Sequence, residues 1–107
     1  MQGNDRIISE FAADPEMAEL VDMFVGDLPQ RVSKLEHLID EHDIEGLRTL
    51  AHQLKGAAPG YGFPSIGAAA EAVESAVREA EPSTDIQALR SEADRLIEVC
   101  RRAMFPT

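Results

Sequence analysis

The sequence predicts an all-α fold, an antiparallel up-and-down four-helix bundle. Apolar residues recur at threes and fours in four separate stretches, and Pro, Gly or a capping residue marks the ends of those stretches. Aromatic residues make up only 5% of the chain, so Ala and Leu must do most of the core filling, which suits packed helices. No strand-like alternation competes. At 107 residues the chain fits one domain. It is read as a single unit over 1–107, with 1–13 as an N-terminal segment and 14–107 as the bundle.

The segment RIISEFAA is expected to form a short extra N-terminal helix. Asp14, Pro15 and Glu16 then open the first long helix, with an acceptor for the cap, a proline where no N–H is needed, and an acid at the positive dipole end. Met17, Val21, Phe24, Leu28, Leu35 and Ile39 mark its buried face. Pro29 should bend this helix without ending it, since the stripe resumes at Leu35. Arg31 points partly inward on ideal geometry, so either its stem snorkels or the proline shifts the phase. Asp43 caps the second helix, whose apolar side carries Ile44, Leu47, Leu50, Ala51, Leu54 and Ala58, and Pro59 and Gly60 close it.

Pro64 suits the first position of a third helix bearing Ile66, Ala69, Ala70, Val73, Val77 and Ala80, with Pro82 past its end. Thr84 and Gln87 form a capping box for a fourth, bearing Ile86, Leu89, Ala93, Leu96, Cys100 and Ala103. The connections are short, so neighbouring helices should run antiparallel. A bundle of this kind hosts many functions and decides none.

Ten basic residues against 20 acidic ones give a net charge of -10, which repels a phosphate backbone and an anionic membrane surface. Nucleic acid and membrane contact by this domain are therefore not expected. No apolar run approaches the roughly 20 residues a bilayer span needs, and the opening residues lack a signal-peptide core. A soluble, cytoplasmic monomer is the expectation. The single cysteine, Cys100, falls in an apolar stripe and reads as a buried thiol.

The second helix carries the informative anomaly, in AHQLKGAAPGYG over residues 51–62. On a wheel with Leu47 at zero, the core residues fall within about 60° either side, while His52 lies near 140°, Lys55 near 80°, Arg48 near 100° and Gly56 near 180°. His52 faces out. Gly56, in an exposed helix interior, costs about 0.5–1 kcal/mol relative to alanine. It sits where a side chain would be expected to crowd the ring one turn earlier, and Lys55 places a cation beside that ring. An incoming protein surface that needs close approach to His52 would explain both.

These residues resemble the signature of histidine-containing phosphotransfer (HPt) domains: a His, any residue, an aliphatic, Lys-Gly, two small residues, and a glycine five or six places after the Lys-Gly pair. His52, Leu54, Lys55, Gly56, Ala57, Ala58 and Gly62 fit that register, and the resemblance runs from about Asp14 to Glu74. Pro59 and Gly60 depart from it, standing where many members continue the helix, so the second helix should stop about one turn earlier here.

The resemblance implies a phosphorelay intermediate. His52 would take a phosphoryl group, usually through Nε2, from an aspartyl phosphate on a response-regulator receiver domain, such as one in a hybrid sensor kinase, and pass it to another receiver. It implies no cofactor or metal in this chain, with magnesium on the receiver, and no kinase activity of the chain's own. Lys55 and Gly56, with Gln53 and Arg48 flanking, would contact phosphate and partner. If the first two helices form a hairpin turning near His42, then Leu28, Arg31 and Val32 border His52 as a docking patch.

Other chemistries fit less well. There is no glycine-rich nucleotide loop and no second domain for ATP. The residues three before His37, His42 and His52 are Lys34, Ile39 and Thr49, which breaks the Glu-x-x-His spacing of a di-iron bundle. A zinc site from the three histidines and Cys100 would need ligands from separate faces to converge. His37 and His42 read as solvated surface. Two alternatives stay open: a helical adaptor that accepts no phosphate, and a histidine domain phosphorylated directly by an ATP-dependent kinase domain.

Overall fold

The computed structural model describes residues 6–80 and 86–104, the side chain of Ile86 excepted. Its four helices are α1 (Ala18–Asp40), α2 (Ile44–Ala57), α3 (Pro64–Arg78) and α4 (Arg90–Met104). A 3-10 turn, Ala58–Tyr61, follows α2, and another, Ile86–Leu89, leads into α4. Among the described residues there is no strand. Each helix packs on the next, and α4 closes the ring on α1. The α2/α3 contact is the closest and the α1/α2 contact the lightest, which leaves an open groove of about 540 Å³ between α1 and α2.

The buried stripes follow the expected periods and are somewhat wider. In α1 the core residues are Val21, Phe24, Leu28, Val32, Leu35, Leu38 and Ile39, and Pro29 sits inside an unbroken helix. One lost backbone bond is outweighed by the burial that continues on both sides of the proline. The α2 core is Leu47, Leu50, Ala51 and Leu54, with Ala58 just beyond it. In α4, Ile97 and Val99 join the expected positions, and Cys100 is fully buried. Burial pushes its thiol up to about 12, which makes it inert packing. Thr84, the first residue of the expected capping box, and Pro82 lie outside the described residues, as does the side chain of Ile86.

The expected N-terminal helix is absent: residues 6–9 have no regular structure and 10–13 form a turn. The donors of this segment are spent on other elements. Ile7 N donates to Arg102 O at 3.1 Å, and Glu10 N donates to Gly62 O at 2.8 Å. Ser9 Oγ donates to Tyr61 O at 2.7 Å and accepts from Phe11 N at 3.0 Å. The segment is a strap, tied to the turn between α2 and α3. Asp14 does accept from Glu16 N at 2.9 Å, but it caps a turn, and α1 itself starts at Ala18.

The α1/α2 hairpin turns at His42 as expected. Asp43 N donates to Leu38 O at 2.9 Å and His42 N to Ile39 O at 3.1 Å, with His42 left-handed at φ 57°. This is the glycine-favouring closure of a helix, built here without glycine. His42→Gly is therefore expected to raise the unfolding free energy by about 0.5–1 kcal/mol, after the added freedom of the unfolded chain is subtracted. A urea midpoint that stays put or falls would show the imidazole to be stabilising the turn instead. Asp43 Oδ1 then accepts from Gly46 N at 2.9 Å, the cap read from the sequence.

Pro59 and Gly60 end α2 at Ala57 by tightening the chain into the 3-10 turn. The proline has a structural use. A Cβ at Gly67 would lie 2.8 Å from Pro59 Cγ, so the backbone of α3 rests directly on the proline ring.

Candidate functional site

His52 lies on the face of α2 turned away from the fully buried Leu47, Ala51 and Leu54, and its side chain is 63% exposed. Its Nδ1 is 2.8 Å from Glu74 Oε2 on α3. Glu74 is only 7% exposed, and its other oxygen, Oε1, is 2.8 Å from Lys55 Nζ. Lys55 Nζ is also 3.3 Å from Glu71 Oε1. Residues three apart on each helix share a face. The close α2/α3 contact thus brings His52 and Lys55 against Glu74 and Glu71.

This geometry selects the tautomer of the neutral ring. Lys55 beside Glu74 holds its carboxyl below the usual carboxylate range; partial burial opposes that, and His52 adds to it. The same contact with Glu74, then that with Glu71, raises the lysine above its ordinary value. An ionised carboxylate can only accept hydrogen bonds, so the nitrogen facing it must be an N–H. The neutral ring is thereby held as the Nδ1–H tautomer, with the Nε2 lone pair free. The arrangement offers a nucleophile that needs no separate base, with a cation close by.

Gly56 lies within α2, and a Cβ built on it would meet nothing within 4 Å. The expectation that any side chain there crowds the ring is corrected for the smallest one: a methyl group at Gly56 would touch neither His52 nor any other side chain. Gly60 is equally bare. Arg48 is engaged by Glu45 on its own helix, with Nε 3.2 Å from Oε2 and Nη2 closer still. Gln53 is exposed and lines the α1/α2 groove with Asp27, Gln30 and Lys34.

Of the expected docking patch, Leu28 and Val32 do not reach the surface, while Arg31 lines the α1/α2 groove with Gln53. Leu28 and Val32 are core residues, because Pro29 leaves α1 continuous and the stripe keeps its phase through them. Arg31 is half-buried, its guanidinium 5.9 Å from the centroid of Phe24, which stacks on Tyr61 at 4.8 Å. Its stem snorkels over an aromatic pair. The large exposed apolar residues of α1 are Leu20 (43%) and Met23 (63%), in helical register with the groove-lining Asp27, Gln30 and Lys34.

Glu74 and Glu71 escaped the sequence reading. The signal available was Glu74 itself, an acid four residues after Ala70 and three before Val77, within the apolar stripe of α3. Among the described residues no group of three or more His, Cys, Asp or Glu is placed to hold a metal ion. Nor is any helix long and apolar enough to cross a membrane.

The family model of the Hpt domain matches residues 19–103, while comparisons with curated proteins and with solved structures each return no significant match. Members of that family are phosphocarrier modules of phosphorelays, not kinases, and they work with the receiver domains of response regulators. The match runs from the first turn of α1 to the last turn of α4 and takes in His52, Lys55 and Glu74; the chain belongs to the Hpt domain family.

Proposed function

We propose that His52 is the phosphoacceptor, taking a phosphoryl group on Nε2 from a receiver aspartyl phosphate and passing it to the aspartate of another receiver. The 2.8 Å contact of Glu74 Oε2 with Nδ1 of an exposed ring carries this reading, since it supports an outward lone pair on Nε2. Phosphoryl transfer asks mainly for alignment and charge neutralisation. The receiver, which a hybrid sensor kinase can supply, brings magnesium and the acidic site; this chain brings the ring and a lysine.

Lys55 Nζ has three donors, and with two turned to Glu71 and Glu74 the third is available to a phosphoryl oxygen. Arg48 and Gln53 flank the approach. The apolar part of the docking face is Leu20 and Met23 on α1, and Gly56 and Gly60 leave bare backbone on the α2 side, a small area that suits a transient partner.

The test is to mix the protein with a receiver charged by a small phosphodonor. Wild type is expected to gain phosphate that is labile in acid and stable in alkali, and His52→Gln, folded by circular dichroism, to gain none. A wild-type protein that takes no label from any charged receiver would overturn the proposal. Labelling only with ATP and a kinase domain would favour direct phosphorylation instead.

A further inference from the structure

We infer that Glu74 sets how readily the phosphoryl group leaves His52, holding a proton on Nδ1 through both halves of the cycle and making this module a fast donor rather than a phosphate store. The inference rests on the reading of His52 as phosphoacceptor and concerns what happens after the group has arrived.

Once Nε2 carries phosphate, Nδ1 is the ring's one remaining site for a proton. A neutral phosphorylated ring would turn the lone pair of Nδ1 toward Glu74 Oε2 across 2.8 Å, setting acceptor against acceptor. The carboxylate cannot relieve this by taking up a proton of its own at neutral pH, because Lys55 Nζ, 2.8 Å from Oε1, keeps it ionised. The remaining solution is a cationic ring, with Nδ1–H donating to Oε2.

The other charges around the ring are arranged differently. Lys55 and Arg48 come from α2, and Glu71 stands beside Glu74 on α3. Asp27, Arg31 and Lys34 of α1 lie across the groove next to Gln53. Of these groups, Glu74 is the one in contact with Nδ1.

The protonated ring matters because it is the better leaving group. The receiver's carboxylate oxygen forms the new O–P bond as the P–Nε2 bond breaks, and that electron pair returns to Nε2. The ring departs as neutral imidazole with its proton still on Nδ1. Loading runs the same steps backwards, with Nε2 attacking phosphorus and the aspartate regaining its electron pair. No proton moves in either direction, so neither step waits for one. Glu74 acts through the ring and is a positioning residue.

The experiment isolates phosphorylated protein away from its receiver and follows phosphate loss from pH 6 to 9, then transfer to fresh receiver at pH 8. Glu74→Gln keeps the side-chain shape but can turn its amide N–H toward a bare Nδ1, so a neutral phosphorylated ring is tolerated. The expected result is a loss profile displaced about one unit to lower pH, with loss and onward transfer at pH 8 both slowed about tenfold. A Glu74→Gln protein that loads normally and matches wild type in rate and pH profile overturns the inference. If wild type fails to load, the phosphoacceptor reading is what has failed. Should the variant not fold, nitrogen-15 spectra of histidine-labelled, phosphorylated wild type decide: Nδ1 protonated at pH 8 supports the inference, and Nδ1 bare overturns it.

Discussion

Gly62→Ala is expected to lower the unfolding free energy by about 3 kcal/mol, the largest loss anticipated from adding one methyl group at a glycine among the described residues. Gly62 is the glycine with positive φ among the described residues, at 88°. An L side chain in that conformation costs roughly 1–2 kcal/mol by itself. The methyl would also run into Ser9 Oγ and stand 2.8 Å from Glu10 N and 3.1 Å from Phe11 Cδ2. Backbone cannot swing aside as a flexible side chain can. Relief requires the strap to lift, which gives up the Glu10 N to Gly62 O and Ser9 Oγ to Tyr61 O bonds, each worth about 0.5–1.5 kcal/mol.

For a domain of this size the melting temperature should fall on the order of 15 °C. Gly60→Ala is the control, because a Cβ there meets nothing within 4 Å and Gly60 has no positive φ. It should change the midpoint little. A Gly62→Ala protein that melts within a few degrees of wild type would mean that the strap does not hold this turn. The consequence reaches the site: the turn leads from the helix of His52 into the helix of Glu74, and loosening it loosens their register.

What was legible in advance was what local chemistry decides. The Asp43 cap, the proline at the head of α3 and the outward face of His52 each depend on residues within a turn or two, and each stands where the sequence placed it. The strap was not legible. RIISEFAA has helix-like spacing, and its departure from helix comes from partners more than fifty residues away, Tyr61, Gly62 and Arg102. Leu28 stands on the buried stripe where the periodicity put it; its assignment with Val32 to a docking patch failed because the turn gives only the level of a residue along a hairpin, and at that level both face the core. Glu74 was missed because acids on a helix ordinarily face water. Its place in the α3 stripe becomes informative only once α2 is known to supply a lysine and a histidine to meet it.

Gly56→Leu is expected to make the protein more stable and a worse acceptor. In a helix interior glycine is about 0.8–1 kcal/mol less favourable than alanine, and leucine is close to alanine. Gly56 is the second-last residue of α2, where the chain continues into the 3-10 turn, and the open space around it leaves room for the first carbon of a side chain. A gain of about 0.5–1 kcal/mol in unfolding free energy should follow, seen as a higher urea midpoint at unchanged slope. Transfer from a charged receiver should fall about a hundredfold, since a side chain on the docking face holds the aspartyl phosphate an ångström or more from Nε2. Gly56→Ala should show the same two signs at smaller size. The opposite signs give the pair its force. A substitution that damaged the bundle would lower both quantities, whereas one that fills space reserved for a partner raises the first and lowers the second. Transfer at the wild-type rate in the leucine variant would show the bare backbone to be incidental, and the persistence of a helix-weakening residue at this spot would then have no functional cause.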